Sequence, residues 1–301
     1  MNDFVLSYLP LFNIMLINAL PAYSQYIALR AGTESFATAG FASLGAYAAA
    51  IAAIRYGLNP AVGIALAGLL GGLAGAALSL PLARLRGVFQ AIATIAFVQI
   101  VASLALYSDG LTGGALGMNA IPKAVDTPHI VILVGLTMLL LTIINRSSIG
   151  RAFDAIRQDE TVAVALGVSV MFYQSFAFML SGVLAGIGGA LLAYYTHSIV
   201  PHQFGFPLLV TIISAVLLGG RSSIFGPLVG VAVLAFLPEI ARPLASQRLL
   251  VYGLILVVVI IYMPLGIVDT AIERWRRHRS SRQSANTPAS QAAKVLEGAR
   301  K

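Results

Sequence analysis

Apolar stretches of helical length recur along the chain, separated by short polar or charged breaks. Nine can be drawn, at about 6–29, 36–54, 60–82, 88–106, 129–144, 172–195, 207–218, 227–237 and 249–263. A helix needs about 20 mostly apolar residues to cross a bilayer, so the pattern predicts a bundle of membrane-spanning helices. The seventh and eighth stretches are short and could form one re-entrant unit, which sets a range of eight to ten spans. The first carries Pro10, Pro21, Asn13 and Asn18. Such interruptions are tolerated where protein or a cavity satisfies the freed backbone groups. The second and third are rich in small residues, including Gly40, Gly45, Gly68, Gly71, Gly72 and Gly75. Small residues admit close backbone approach and predict central positions. In the fourth, Thr94 and Gln99 must face other helices or a polar path. For either alone, an interhelical hydrogen bond is the commoner role.

Composition turns this pattern into a class. Hydrophobic residues make up 58% of the 301 and charged residues 10%, against about 25% charged in soluble domains. Segments of about ten residues with alternating polarity, the mark of a transmembrane barrel, are missing. The expected fold is an all-α, polytopic membrane bundle occupying 1–272, followed by a basic, disordered tail at 273–301 that is rich in Ser, Gln and Ala. The N-terminus lacks a basic n-region and reads as the start of the first span rather than a signal peptide.

Charge sets the orientation. The net charge is +8, but eight of nineteen basic residues fall in 274–301 and most others flank spans. That distribution signals membrane topology and not nucleic acid. With the tail inside, Arg30, Arg84, Arg86, Arg146, Arg151, Arg157 and Arg221 fall on the cytoplasmic side. Arg55, Lys123, Arg242 and Arg248 fall outside, which agrees with the positive-inside rule.

One internal stretch breaks the scarcity of charge: NRSSIGRAFDAIRQDETVAVALG at 145–167. Asp154, Arg157, Gln158 and Thr161 recur at helical spacing and predict one polar stripe on an amphipathic helix outside the membrane. Phe153, Ile156 and Ala163 lie on another side. Elsewhere the chemistry is sparse. There is no cysteine; His129 stands at the very start of the fifth predicted span, and His197, His202 and His278 lie outside the spans. His197 and His202 are five apart and cannot share one ligand on a regular helix. Neither HExxH nor GxSxG occurs, and the turn at 219–226 lacks the Gly-Lys-Ser/Thr ending of a phosphate-binding loop. No catalytic residue, metal site or cofactor is expected. No Asp, Glu, Lys or Arg sits mid-span where an ion-coupled carrier would use one. A translocating subunit powered from elsewhere fits these features. A stand-alone secondary transporter is the alternative from another class.

Four segments carry a resemblance to a known family. FATAGFASLGAY at 36–47, LRGVFQAIATIAF at 85–97, LTGGALGMNAIP at 111–122 and SIGRAFDAIRQDETVAVALG at 148–167 resemble, in that order, segments of the LivM-type permease subunit of bacterial branched-chain amino acid ABC importers. The last is the most specific. The resemblance implies an inner-membrane, multi-pass ABC importer permease with its C-terminus cytoplasmic. It implies four partners besides lipid: two ATP-binding subunits that hold the ATP, a sister permease and an extracytoplasmic solute-binding protein. It further implies that 146–167 is the coupling loop, with Gly150, Arg151, Ala155, Arg157, Asp159, Glu160, Ala163 and Gly167 docking the ATPase, the charged stripe orienting it and the apolar face filling its groove. Thr112, Gly113 and Gly114 become candidates for an outer gate or binding-protein contact, and Thr94 and Gln99 for the path. Related permeases carry urea, short amides or simple sugars, and the sequence separates these poorly. Two positions depart from the family: Ala37-Thr38 stands where Gly-His is common, and Gly167 follows Glu160 by seven residues, one more than in the general importer loop.

Overall fold

A computed structural model describes residues 2–240, 253, 257 and 266–274. The described chain is helical, and its one β-type contact is an isolated bridge between Met118 and Ile199. The helices are α1 (Asn2–Arg30), α2 (Thr38–Tyr56), α3 (Pro60–Leu82), α4 (Val88–Tyr107), α5 (Asp109–Thr112), α6 (Thr127–Arg146), α7 (Ser148–Gln158), α8 (Glu160–Ala165), α9 (Val170–Thr196), α10 (Phe206–Gly219) and α11 (Phe225–Ile240). Residues 267–274 are also helical. Most of the ninth predicted span, and the tail from 275 on, lie outside the described residues.

Among the described residues, six segments are long and apolar enough to cross a membrane: α2, α3, α4, α6, α9 and the stretch Pro201–Gly219 that contains α10. The chain is thus a multi-pass α-helical membrane protein. α1 is the longest of the described helices, at 29 residues, and it runs unbroken through Pro10 and Pro21, where the sequence suggested interruption. The ring of Pro21 fills the space beside Gly188, where a Cβ would collide with it. α6 begins at Thr127, two residues earlier than the apolar pattern indicated, with Pro128 in its first turn. Proline suits that position because its missing N–H has no intrahelical partner there.

α9 is the hub, packed against α1, α2 and α3. Lipid tails are as apolar as leucine, so helices in a membrane associate by close packing more than by the hydrophobic effect. Glycines make that packing possible here. Gly71 and Gly182 each face the other's carbonyl oxygen, Gly75 faces that of Phe178, Gly186 that of Ala67, and Gly189 that of Ala42. A Cβ at any of these positions would overlap a backbone atom. α2 occupies the interior as its small residues predicted, with 72% of its apolar window buried. α3 differs, with 33% buried. Its glycine stripe faces α9 while Leu69, Leu73 and Leu80 on its other side are exposed, so small residues there mark one face and not a central helix.

The connections gather at two ends. α7, α8, the α1–α2 link, the α3–α4 link and the 220–224 turn share one end, joined by contacts from Arg30, Arg86 and Gly32. The α4–α6 loop and the 197–205 connector share the other.

Overpacking a well-filled core typically costs about 1–3 kcal/mol. Gly182→Leu is expected to cost at least that and to abolish a monodisperse peak in size-exclusion chromatography in detergent. Leu73→Ala, on the exposed face of α3, should leave both the peak and the melting temperature near those of the parent.

Candidate functional site

The charged stretch folds as two helices and not one. Ser147 caps α7, its hydroxyl accepting the Ile149 N–H at 3.1 Å. The carboxylate of Asp159 caps α8, accepting the N–H groups of Thr161 and Val162 at 2.8 and 3.1 Å. Asp159 adopts extended backbone between them, as an N-cap residue must, so it both ends α7 and starts α8.

Phe153, Ile156 and Ala163 do lie on a separate side, and that side is turned into the protein. Phe153 sits edge-on to Tyr173 of α9, with ring centroids 6.3 Å apart. Ile156 and Ala163 form a small cluster with Val170. The apolar face expected to fill a partner's groove is therefore already occupied. A different apolar set is open: Val162, Val164 and Leu166, the last 74% exposed. The sequence signal for them was three alternate apolar residues placed after the Asp159 cap, off the face of Phe153 and Ile156.

Two arginines from other segments hold the helix pair. The Nη2 of Arg30 lies 3.1 Å from both carboxylate oxygens of Asp154. Arg86 pairs with Glu160 at 2.9 Å, with the Arg86 side chain 77% exposed. Exposed pairs contribute about 0–1 kcal/mol, so Arg86–Glu160 fixes position more than stability. Asp154 and Glu160 are thus engaged within the chain.

The eight predicted docking residues separate by placement. Gly150 is buried, and a Cβ there would meet the carbonyls of Ile144 and Asn145, so glycine permits the tight α6–α7 junction. Ala163 is buried too. Ala155, Arg157 and Glu160 are half-buried, while Arg151, Asp159 and Gly167 are exposed. Gly167 has open space around it and φ of +80°, a backbone conformation that glycine adopts readily, and it follows the end of α8. The exposed surface of this unit includes Arg151 and Asp159 as well as Val162, Val164 and Leu166, with Arg157 half-buried among them.

At the opposite end, Thr112 is buried. Its hydroxyl lies 2.6 Å from the Ala105 carbonyl and accepts the Gly114 N–H at 3.3 Å. Gly113 and Gly114 both have positive φ, and Gly113 is exposed while Gly114 is buried. Two backbone bonds of 2.9 Å between Met118 and Ile199, and one from the Ile121 N–H to the His197 carbonyl, latch this loop to the 197–205 connector.

Thr94 and Gln99 part company. Thr94 is fully buried, and its hydroxyl accepts the Phe36 N–H at 3.0 Å, while Gln90 Oε1 accepts the Glu34 N–H at 3.1 Å. α4 thereby satisfies the non-helical α1–α2 link, which would otherwise leave backbone donors unpaired. Gln99 is exposed and lines an open pocket of about 380 Å³ with Ser103, His202 and Phe206.

A buried polar network, not anticipated from the sequence, joins α1, α2 and α9. Ser24 Oγ lies 2.8 Å from Ser181 Oγ, Thr38 donates to Gln25 Oε1 at 2.8 Å, and Gln25 Nε2 donates to the Ser35 carbonyl at 2.7 Å. Thr38, which departs from the family pattern, is a working member of this network.

Comparison with known proteins decides the family. The family described as "Branched-chain amino acid transport system / permease component" matches residues 4–263. The chain belongs to this family. It is 30% identical over 263 residues to the high-affinity branched-chain amino acid transport system permease protein LivM of Escherichia coli, covering 76% of this chain and 62% of that one. It is 31% identical over 136 residues to the LivH permease protein of the same organism, covering 44% of each. The fructose import permease protein FrcC of Rhizobium meliloti is 29% identical over 249 residues, covering 74% of this chain and 65% of that one. The chain spans about 62% of the length of the LivM relatives it matches. No solved structure matches it significantly.

The placement of Thr94 gives a sharp expectation. Thr94→Val keeps the shape but leaves the Phe36 N–H unpaired, an omission that costs about 1–3 kcal/mol, and it should lower the melting temperature in detergent. Gln99→Ala should not.

Proposed function

We propose that this protein is the transmembrane permease subunit of an ATP-driven ABC importer for branched-chain or related hydrophobic amino acids. It sits in the inner membrane with α7–α8 and the C-terminus on the cytoplasmic side. The observation that carries the reading is the α7–α8 pair itself: two short helices outside the bundle, held by Arg30 and Arg86, that expose the apolar side chains of Val162, Val164 and Leu166 together with the charged Arg151 and Asp159. Exposed apolar side chains beside charged ones, on helices held in place, suit a protein docking surface. Its partners are two ATP-binding subunits, which hold the nucleotide. α6 and α9 run directly into α7 and out of α8, so movement at the docking surface passes into the bundle.

The match to both LivM and LivH proteins supports a pairing with a sister permease. An extracytoplasmic binding protein would deliver substrate at the end that carries Gly113 and the latched loop. Gln99, Ser103 and His202 are the polar groups placed to line an outer part of the path, whereas Thr94 serves the fold. Gly150, Ala163 and Gly167 shape the docking unit, and Arg151, Arg157, Asp159, Val162, Val164 and Leu166 make its contacts. The similarity to a fructose permease supports a second substrate reading, import of a simple sugar by the same ATP-driven design.

A mild-detergent pull-down of the tagged chain from its own membranes tests this reading. Co-purification of two ATP-binding subunits and a second permease is expected, and recovery of the chain alone would reject it in favour of a self-contained carrier. Leu166→Asp combined with Val162→Asp should release the ATP-binding subunits and reduce uptake at least tenfold while leaving the protein folded in the membrane.

A further inference from the structure

The glycine-rich turn at 219–226 meets the α7–α8 pair through one side chain. Arg30, the last residue of α1, is 11% exposed and has contacts to three segments. Its Nη2 donates to both carboxylate oxygens of Asp154 on α7. Its Nη1 donates to the Tyr26 hydroxyl at 2.8 Å and reaches the Ser222 carbonyl at 3.4 Å. The same Tyr26 hydroxyl accepts from Asn145 of α6 at 3.1 Å. The turn is anchored from its other side, because the Ser222 N–H donates to Asp269 at 2.8 Å and the backbone of Gly266 lies against Gly220.

We infer that Arg30 is a positioning residue that transmits displacement of α7 to the 220–222 turn, and so to the α10–α11 hairpin. The inference rests on the reading of α7–α8 as the ATPase-docking unit. A guanidinium suits this work because its planar fork can hold a carboxylate with one nitrogen and a carbonyl with another, while a lysine ammonium offers no such fixed geometry. Its Nε–H is buried without a partner, which leaves a spare donor for re-pairing as the groups shift. α10 and α11 pack on each other and on α1, and with α1 they enclose a mostly apolar pocket lined by Leu11, Ile14, Asn18, Thr211 and Leu234. Moving the hairpin would reshape that pocket.

The cysteine-free chain permits a direct test in the intact complex purified through this subunit. Spin labels are placed at Gln158→Cys (α7) or Arg221→Cys (turn), each paired with Leu80→Cys on the exposed face of α3 as a reference, and separations are compared without nucleotide and after trapping with ATP and vanadate. In the parent, both pairs should shift, by about 1–2 Å or more. In Arg30→Met the α7 shift should remain and the turn shift should vanish, and Arg30→Lys should restore part of it. Asp154→Asn, which keeps the shape of the side chain, should lose the turn shift as well and serves if Arg30→Met fails to assemble. A turn shift that survives in either variant, or a parent in which α7 moves and the turn does not, overturns the inference. Absence of co-purified ATP-binding subunits, or of any α7 shift in the parent, instead removes the docking reading and this inference with it.

Discussion

Backbone-to-backbone contact along α9 is the constraint on which the rest of the structure depends. Inside a bilayer there is little hydrophobic gain in bringing two leucine-covered helices together, so cohesion must come from approach close enough for many weak contacts. Gly182, Gly186 and Gly189 give α9 that approach to α2 and α3, and Gly188 gives it to Pro21 of α1. The four helices form one body, and the Ser24–Ser181 and Thr38–Gln25 hydrogen bonds fix its register. Such bonds contribute on average about 0.6 kcal/mol each inside membranes, so their effect is on specificity of packing more than on bulk stability.

Around this body the chain adds two built ends. At one, α7 and α8 are held by inward apolar residues and by arginines from distant segments, which makes the projection stiff. In the proposed docking role that stiffness would count, since a solvated loop absorbs a push that a packed helix passes on. At the other, a loop containing Thr112, Gly113 and Gly114 is folded on itself and tied to residues 197–199. The polar side chains of this region therefore serve mainly the loop's own geometry.

Much was legible in the chain before folding. Helical spans, the amphipathic unit at 146–167 and the separate side for Phe153, Ile156 and Ala163 follow from hydropathy and from a period of 3.6 residues, both of which are local. The pattern was less informative where a residue's partner is remote. It did not indicate that Asp159 would divide the charged helical unit, that Arg30 and Arg86 would engage Asp154 and Glu160, or that Thr94 would satisfy the backbone of Phe36. The glycines of α3 pointed to burial but not to how much, because the opposite face of a helix is set by what remains beside it.

The sequence by itself determined the class of protein, the approximate positions of the described spans and the location of the charged helical unit at 146–167, because apolar length and charge scarcity act residue by residue. The tertiary structure alone decided which groups of that unit stay free. Phe153 and Ala163 are consumed by packing and Asp154 by Arg30, 124 positions away in sequence, while Val162, Val164 and Leu166 are left exposed. Which surface remains for a partner depends on every other segment that has already claimed a face, and that is a property of the folded chain and not of any stretch within it.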